Sequence, residues 1–441
     1  MEQATEGGSG SGSGVNAGRD WSGLPEELLV SFLLAMDVPG AVRSGAVCTS
    51  WNAAYAAFRR LRAPSPRQPP CLLYASDSLA PGAAALHCVA TGATLRIPFP
   101  RAPLARRPLL GSGHGWVVTA DEASNLHLVN PVTGAQAALP PVTALHNVKM
   151  GTDERGGPAY TVYDEPGPNS KPPIILEIGR AHEYLYHRVV LSTSPSASRA
   201  CVVVLLHMPM GKISFTKLGD DRWTLFSPCE GTGLPWKCFY KDAMYSDVDG
   251  LFYLLLINAS IVSLDLNGSS PVARMILDNV SGTGTRAKYL VQTPAGDFLQ
   301  AWRLKDYVDS PTPVDIPQEY MDEEEGQDPY VELNTVDIEI YKVDLHGQKL
   351  ELMKGLPDYA LFLGFNASMC LPIKDFDGLK ANCVYITDDS PEYVNLLKYN
   401  RREVGIWSMA EQSMSKLVDV APVLCPWLNW PSPIWIKPSF L

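Results

Sequence analysis

Leu86-His87-Cys88-Val89-Ala90-Thr91-Gly92-Ala93 and Leu126-His127-Leu128-Val129-Asn130-Pro131-Val132-Thr133-Gly134-Ala135 are two versions of one phrase. Each opens on Leu-His in an apolar run and reaches Thr-Gly. Each then resumes with a second run, at Leu95 and Ile97-Pro98 or at Leu139-Pro140. A glycine between two such runs supplies the positive φ that a tight hairpin turn needs. From Thr91-Gly92 to Thr133-Gly134 the offset is 42 residues, within the ~40–50-residue period of propeller blades. Strand, turn and return strand at this period predict an all-β propeller.

Looser copies extend the pattern. Ile261 to Leu266 reaches Asn267-Gly268, and Tyr341-Lys342-Val343-Asp344-Leu345 reaches His346-Gly347. Asp249-Gly250 and Pro294-Ala295-Gly296-Asp297 are further turn signals. Val202-Val203-Val204-Leu205-Leu206 and Leu254-Leu255-Leu256-Ile257 are strand-sized and fit buried strands. Trp116, Trp223, Trp302 and Trp407 are expected in blade cores. Residues 71–441 have room for about six blades with long inserts; a pair of β-sandwiches is the alternative. Ser432-Pro433-Ile434-Trp435-Ile436 is expected to close the ring by pairing near Leu72-Leu73-Tyr74. Residues 305–335, with the acidic run Asp322-Glu323-Glu324-Glu325, read as a solvated, mobile loop.

Ahead of the strands, residues 20–62 have helical spacing. Pro25 suits a helix start, and Glu26 and Glu27 complement the positive end of the helix dipole. Leu28, Leu29, Phe32, Leu33 and Met36 form an apolar stripe. Asp37-Val38-Pro39 ends this helix, a second carries Val42, Ala46 and Val47, and a third carries Cys48, Trp51, Tyr55 and Phe58. About forty residues lie at the edge of what folds alone. Their apolar side chains outnumber what one internal core of that size can hide, so an exposed apolar docking face is expected. A helical cap packed on the large region is the alternative. Residues 1–19, rich in Gly and Ser, are expected to be a disordered tail. Residues 63–70, with Pro64, Pro66, Pro69 and Pro70, are expected to be a stiff linker.

The 441 residues carry 36 Lys and Arg against 47 Asp and Glu, a net charge of −11 that argues against a dedicated nucleic-acid binder. No apolar run reaches the ~20 residues of a membrane helix, and no membrane association is expected. The nine cysteines have no regular spacing and no CxxC. That fits reduced thiols in the nucleus or cytoplasm. The glycosylation-like triplets at Asn258, Asn267, Asn279 and Asn366 are read as coincidental. His182-Glu183 and His187 are one residue too far apart for a zinc HExxH site. Gly111-Ser112-Gly113-His114-Gly115 lacks nucleophile-elbow spacing. Asp388-Asp389 is read as turn chemistry. No catalytic residue, metal site or cofactor is expected.

Leu24-Pro25-x-x-Leu28-Leu29-x-x-Phe32-Leu33, then Arg43, then Val47-Cys48-x-x-Trp51, resembles the F-box. That family binds the Skp adaptor of cullin-based ubiquitin ligases. The resemblance implies that Leu24, Pro25, Leu28, Leu29, Phe32, Leu33, Val47, Cys48 and Trp51 meet the adaptor or hold the helices that do. Asp358-Tyr359-Ala360-Leu361-Phe362-Leu363-Gly364, Asn366-Ala367-Ser368 and Asn382-Cys383-Val384-Tyr385-Ile386-Thr387-Asp388-Asp389 resemble the plant domain of unknown function 295, with Gly405-Ile406-Trp407 and the terminal Pro433-Ile434-Trp435-Ile436. That domain is a kelch-like β-propeller of KIB-type F-box proteins. Together the resemblances imply a small all-α F-box of three helices followed by an all-β propeller. They imply the non-catalytic substrate-recognition subunit of an SCF-type ubiquitin ligase, whose propeller binds a target protein. The alternative is a propeller that sequesters or inhibits a partner while its F-box is weak or unused.

Overall fold

Three helices open the described chain: α1 Glu26–Ala35, α2 Val38–Ser44 and α3 Thr49–Leu61. The computed structural model describes residues 21–61, 68–75, 83–99, 107–164, 171–197, 199–209, 211–226, 239–278, 284, 286–316, 328–417 and 431–441. Pro25 sits just before α1, and its carbonyl accepts the N–H groups of Leu28 and Leu29 at 3.1 and 3.2 Å. Leu29 and Leu33, one turn apart on α1, are buried, as are Trp51, Ala54 and Phe58 on α3. Cys48 precedes α3, and its carbonyl accepts the Asn52 N–H at 2.9 Å. Residues 21–36 and 40–61 belong to one compact unit, and 37–39 belong with the other described residues. The expected tail at 1–19 lies outside the described residues. Gln68, Pro69 and Pro70, expected in the linker, are buried and so belong to packed structure.

The two copies of the opening phrase fold alike. Cys88 and Asn130 each donate an N–H to Ala93 and Ala135, and each accepts one from Gly92 and Gly134, all at 2.9 Å. Gly92 and Gly134 have φ of 67° and 74°, a region open to glycine at no steric cost. Each turn joins the two strands furthest from the inner edge of its sheet: Ala83–Cys88 to Thr94–Pro98, and Leu126–Val129 to Gln136–Ala138.

Among the described residues the strands form seven sheets. The first holds residues 71–98 and gains Ile434–Ile436, which pairs antiparallel with Cys71–Ala75, Leu72 opposite Trp435. This is the expected closure. The second, fourth, fifth and sixth sheets are four-stranded and run in chain order through residues 109–138, 186–226, 240–277 and 287–352. The seventh, residues 359–416, has five strands, and its Tyr359–Leu363 and Cys383–Ile386 run parallel. Six of the sheets present one edge strand to a common centre: Ile434–Ile436, Leu109–Gly113, Tyr186–Leu191, Tyr240–Ser246, Ala287–Gln292 and Met369–Pro372, each beside the next.

The core lies between these sheets. One apolar cluster joins the fourth and fifth sheets through Val204, Leu206, Phe252 and Leu254, and another the sixth and seventh through Tyr289, Ile340, Leu361 and Val384. Leu72 and Trp435 of the first sheet pack with Phe362 and Tyr385 of the seventh. Trp116, Trp223 and Trp407 are buried as expected, while Trp302 is half-buried against Tyr341 with ring centroids 4.5 Å apart.

One expectation about the fold needs correction. Residues 305–335 are not all loop. Phe298–Asp309 and Val331–Asp344 make one long hairpin, with Tyr307 opposite Leu333 and Val308 opposite Glu332. Aromatic and β-branched residues at its end extend the ladder. The acidic run 322–325 lies outside the described residues. A small third sheet, Val148–Thr152, Pro158–Val162 and Ile174–Glu177, interrupts the chain between the second and fourth sheets and was not anticipated.

Candidate functional site

The helical unit has two apolar sides. Leu29 and Leu33 are 1% and 0% exposed, whereas Leu28 and Phe32 on the other side of α1 are 49% and 43% exposed. Val47, in the turn before α3, is 68% exposed. Of the nine residues expected at an adaptor, Pro25, Leu28, Phe32 and Val47 are therefore exposed and Leu24 and Cys48 half-buried. Leu29, Leu33 and Trp51 are buried and hold the helices together. The sequence motif lists both sets because one helix must satisfy an internal core and an outward face.

A second feature was missed. A cavity of about 990 Å³ opens among the inner strands of the fourth, fifth and sixth sheets. The third sheet (Leu176), the helix Ala181–Leu185 (Tyr184) and the helix Pro391–Leu396 (Leu396) add to its wall. Two of the inner strands that line the cavity carry a β-bulge. The register passes from Tyr186 to Arg188 over His187, and from Tyr240 to Asp242 over Lys241. Bulges re-aim side chains near sites, and both skipped residues line the cavity. His187 Nε2 lies 3.2 Å from the Lys241 carbonyl. Burial, aided by the Arg188 charge, pushes this imidazole down to about 4, so near neutral pH it is uncharged.

Arg303 and Lys305 alternate on one strand and so share a face. The register there skips Val336 on the neighbouring strand, which is exposed. Arg303 is fully buried. Its Nε donates to Thr335 Oγ1 at 2.7 Å, one Nη to the Thr387 carbonyl at 3.0 Å and the other to Glu403 at 2.6 Å. Asp389 Oδ1 accepts from Lys305 Nζ at 2.7 Å and from the Tyr289 hydroxyl at 3.0 Å. Burial alone would raise the Asp389 carboxyl; Lys305 and Arg303 overcome it and hold it down at about 2. Asp388 is buried too, and its carbonyl accepts the Ser432 hydroxyl at 2.7 Å. Turn chemistry holds for Asp388, whose Oδ1 accepts the Ser390 N–H at 3.3 Å, but is the wrong reading of Asp389. An adjacent acidic pair looks the same in a turn and in an ion network, and only the fold brings Arg303 and Lys305 to it.

Arg188 and Asp242 form the neighbouring buried pair, Nε to Oδ1 at 2.8 Å. Arg188 also donates to the Gly364 carbonyl at 2.9 Å, and Asp242 accepts the Leu290 N–H at 2.8 Å. One pair thus ties the fourth sheet to the seventh and the fifth to the sixth. Burial raises the Asp242 carboxyl against the pull of Arg188. Among the described residues no group of three His, Cys, Asp or Glu side chains is placed to hold a metal ion. Ser112 of the glycine-rich stretch lies on an inner strand, where its carbonyl accepts the Ala367 N–H at 2.8 Å. No helix among the described residues is long and apolar enough to cross a membrane.

These closed sheets around a common centre are the architecture of a β-propeller. The family model of the KIB1-4 β-propeller matches residues 86–408. The chain belongs to that family. None of the curated proteins matches it. Among solved structures it is similar to the β-propeller domain of Cps50 (Swd1) from Myceliophthora thermophila, at 8% identity over 64% of this chain and 84% of that one, TM-score 0.26. It is also similar to the WD40 domain of SCAP from fission yeast, at 11% identity over 80% and 85%, TM-score 0.26. A Bacteroides uniformis protein provisionally described as a 6-phosphogluconolactonase matches at 13% identity over 65% and 95%, TM-score 0.27.

Proposed function

We propose that the protein is the substrate-recognition subunit of an SCF-type ubiquitin ligase. The six sheets that meet at the centre are its blades, and the three helices are an F-box that docks on a Skp adaptor. The propeller holds a target protein, and catalysis belongs to other subunits. The observation that carries this reading is the exposure of Leu28, Phe32 and Val47 on a small helical unit that already buries Leu29, Leu33 and Trp51. An apolar face left over after the core is filled marks an interaction site, and its order of residues resembles that of the F-box. Three such side chains, each worth ~1.5–3 kcal/mol when buried, support a stable complex. Work in the nucleus or cytoplasm follows from this role.

The test is co-purification with a recombinant Skp adaptor, comparing wild type with Leu28→Asp/Phe32→Asp. Both positions are exposed, so circular dichroism of the variant should match wild type. Loss of adaptor from the variant alone, by at least about thirtyfold (~2 kcal/mol, the scale of an interface hot spot), supports the receptor. A wild-type chain that retains no adaptor sinks it and leaves a propeller that acts by sequestering its partner.

A further inference from the structure

The cavity holds more cationic charge than its own carboxylates answer. Arg188 is paired with Asp242, Arg303 with Glu403 and Asp389, Lys305 with Asp389, and Arg180 with Glu183. The other two acids of the lining, Glu177 and Glu392, are exposed to water, which screens them. Lys241 and Lys288 remain. Among the described residues Lys288, 3% exposed, has no ion-pair partner and lies over the face of Trp302, with Nζ 4.9 Å from the ring centroid. Lysine is almost never buried this far without a partner, and a ring face leaves the charge in place. Burial, with the nearby charges of Lys241 and Arg286, weakens the hold of Lys288 on its proton. Lys241 faces the same space because the bulge puts it there. Tyr184, Tyr307, Leu333 and Phe365 add aromatic and apolar wall. At about 990 Å³ the cavity has the size of a site for a small organic molecule, far larger than one inorganic ion.

We propose that this cavity binds a small organic anion, with its phosphate or carboxylate between Lys241 and Lys288 and its apolar body against the aromatic wall. The anion supplies the charge that the fold withholds from a buried ammonium, so it binds where water alone is a poor substitute. This inference is independent of adaptor docking and stands or falls without it.

The experiment is calorimetry on the full chain with inorganic phosphate, phenyl phosphate, benzoate and the neutral control benzyl alcohol. Lys288→Met and Lys241→Gln are the variants. The expected result is saturable binding of phenyl phosphate or benzoate and none of benzyl alcohol, weakened at least tenfold in each variant. Preference between the two anions tells phosphate from carboxylate as the natural head group. Unliganded Lys288→Met should melt no lower than wild type, because it removes an unpaired buried charge. Should it fail to fold, the half-buried Lys241→Gln carries the comparison. Absence of saturable binding to any of the three anions up to about 10 mM, above the millimolar range of the weakest specific sites, overturns the proposal. Equal affinity in wild type and Lys241→Gln overturns it as well.

Discussion

At Asp389 one oxygen serves two donors, the Lys305 ammonium at 2.7 Å and the Tyr289 hydroxyl at 3.0 Å, with Arg303 at 3.5 Å. Removing the charge leaves two buried cations facing a neutral amide. Asp389→Asn should therefore destabilise the propeller by about 3 kcal/mol, the cost of breaking a buried pair from one side. Urea unfolding measures it, and a midpoint equal to wild type would show that the network contributes nothing to stability. Arg303→Lys keeps the charge and should still lose about 2 kcal/mol. A lysine point charge cannot serve Thr335, the Thr387 carbonyl and Glu403 from one fork. The two variants separate charge from geometry: if charge alone matters, Arg303→Lys will melt with wild type.

Among the elements, the three-residue strand Ile434–Ile436 pairs with the first sheet and packs on the seventh. Trp435 is fully buried, edge-to-face with Phe362 at 5.3 Å and with Tyr385 at 6.1 Å. Trp435→Ala should cost about 3–5 kcal/mol, as large aromatic truncations do, and thermal melting checks it. A loss below about 1 kcal/mol would mean that the first and seventh sheets close without this strand. The closure was legible in sequence because an apolar triplet flanked by prolines and serine needs a partner strand, and Leu72-Leu73-Tyr74 needed one too. Turns were legible for a similar reason: Gly92 and Gly134 report a backbone requirement that no other residue meets as cheaply. The parallel pairing of Tyr359–Leu363 with Cys383–Ile386 was hidden, since a crossover and a hairpin look alike when only strand-sized runs are read. The bulges at His187 and Lys241 were hidden too, because one extra residue leaves no compositional mark. The cavity depends on those bulges and on residues from sheets far apart in the chain, so no local pattern held it. The outward face of α1 was half legible: the motif named Leu28, Leu29, Phe32 and Leu33 together, and only packing sorts them.

For the molecule as a whole, the buried histidines set the response to acid. Burial lowers His182, His187 and His207 each to about 4, from an ordinary value of 6.5. His207 shows why the neutral form is required. Nδ1 lies 2.9 Å from the Met208 carbonyl, an acceptor only, so that nitrogen carries the proton. Nε2 is then free to accept from the Ser214 hydroxyl at 2.9 Å. A second proton would make Nε2 a donor, force the Ser214 hydroxyl to turn and accept, and bury a charge. Between pH 6.5 and 4 the unfolded chain binds protons that the folded chain refuses, so stability falls as pH falls through this window. Each histidine can withdraw about 3 kcal/mol by the lower end. Asp242, whose carboxyl is raised, works in the opposite direction and gains as pH falls. Asp389 stays ionised until about pH 2 and takes no part in this window. The three histidines pull stability down as pH falls, and Asp242 offsets part of that loss. The propeller should therefore lose stability between pH 6.5 and 4, before Asp389 protonates. His207→Gln should flatten that slope by about one proton, because glutamine has no charge to acquire. Urea midpoints at half-unit steps of pH would show it. A stability curve flat to pH 4.5, or a slope unchanged in His207→Gln, would mean that these imidazoles find water or anions in the folded protein and titrate as they do in the open chain.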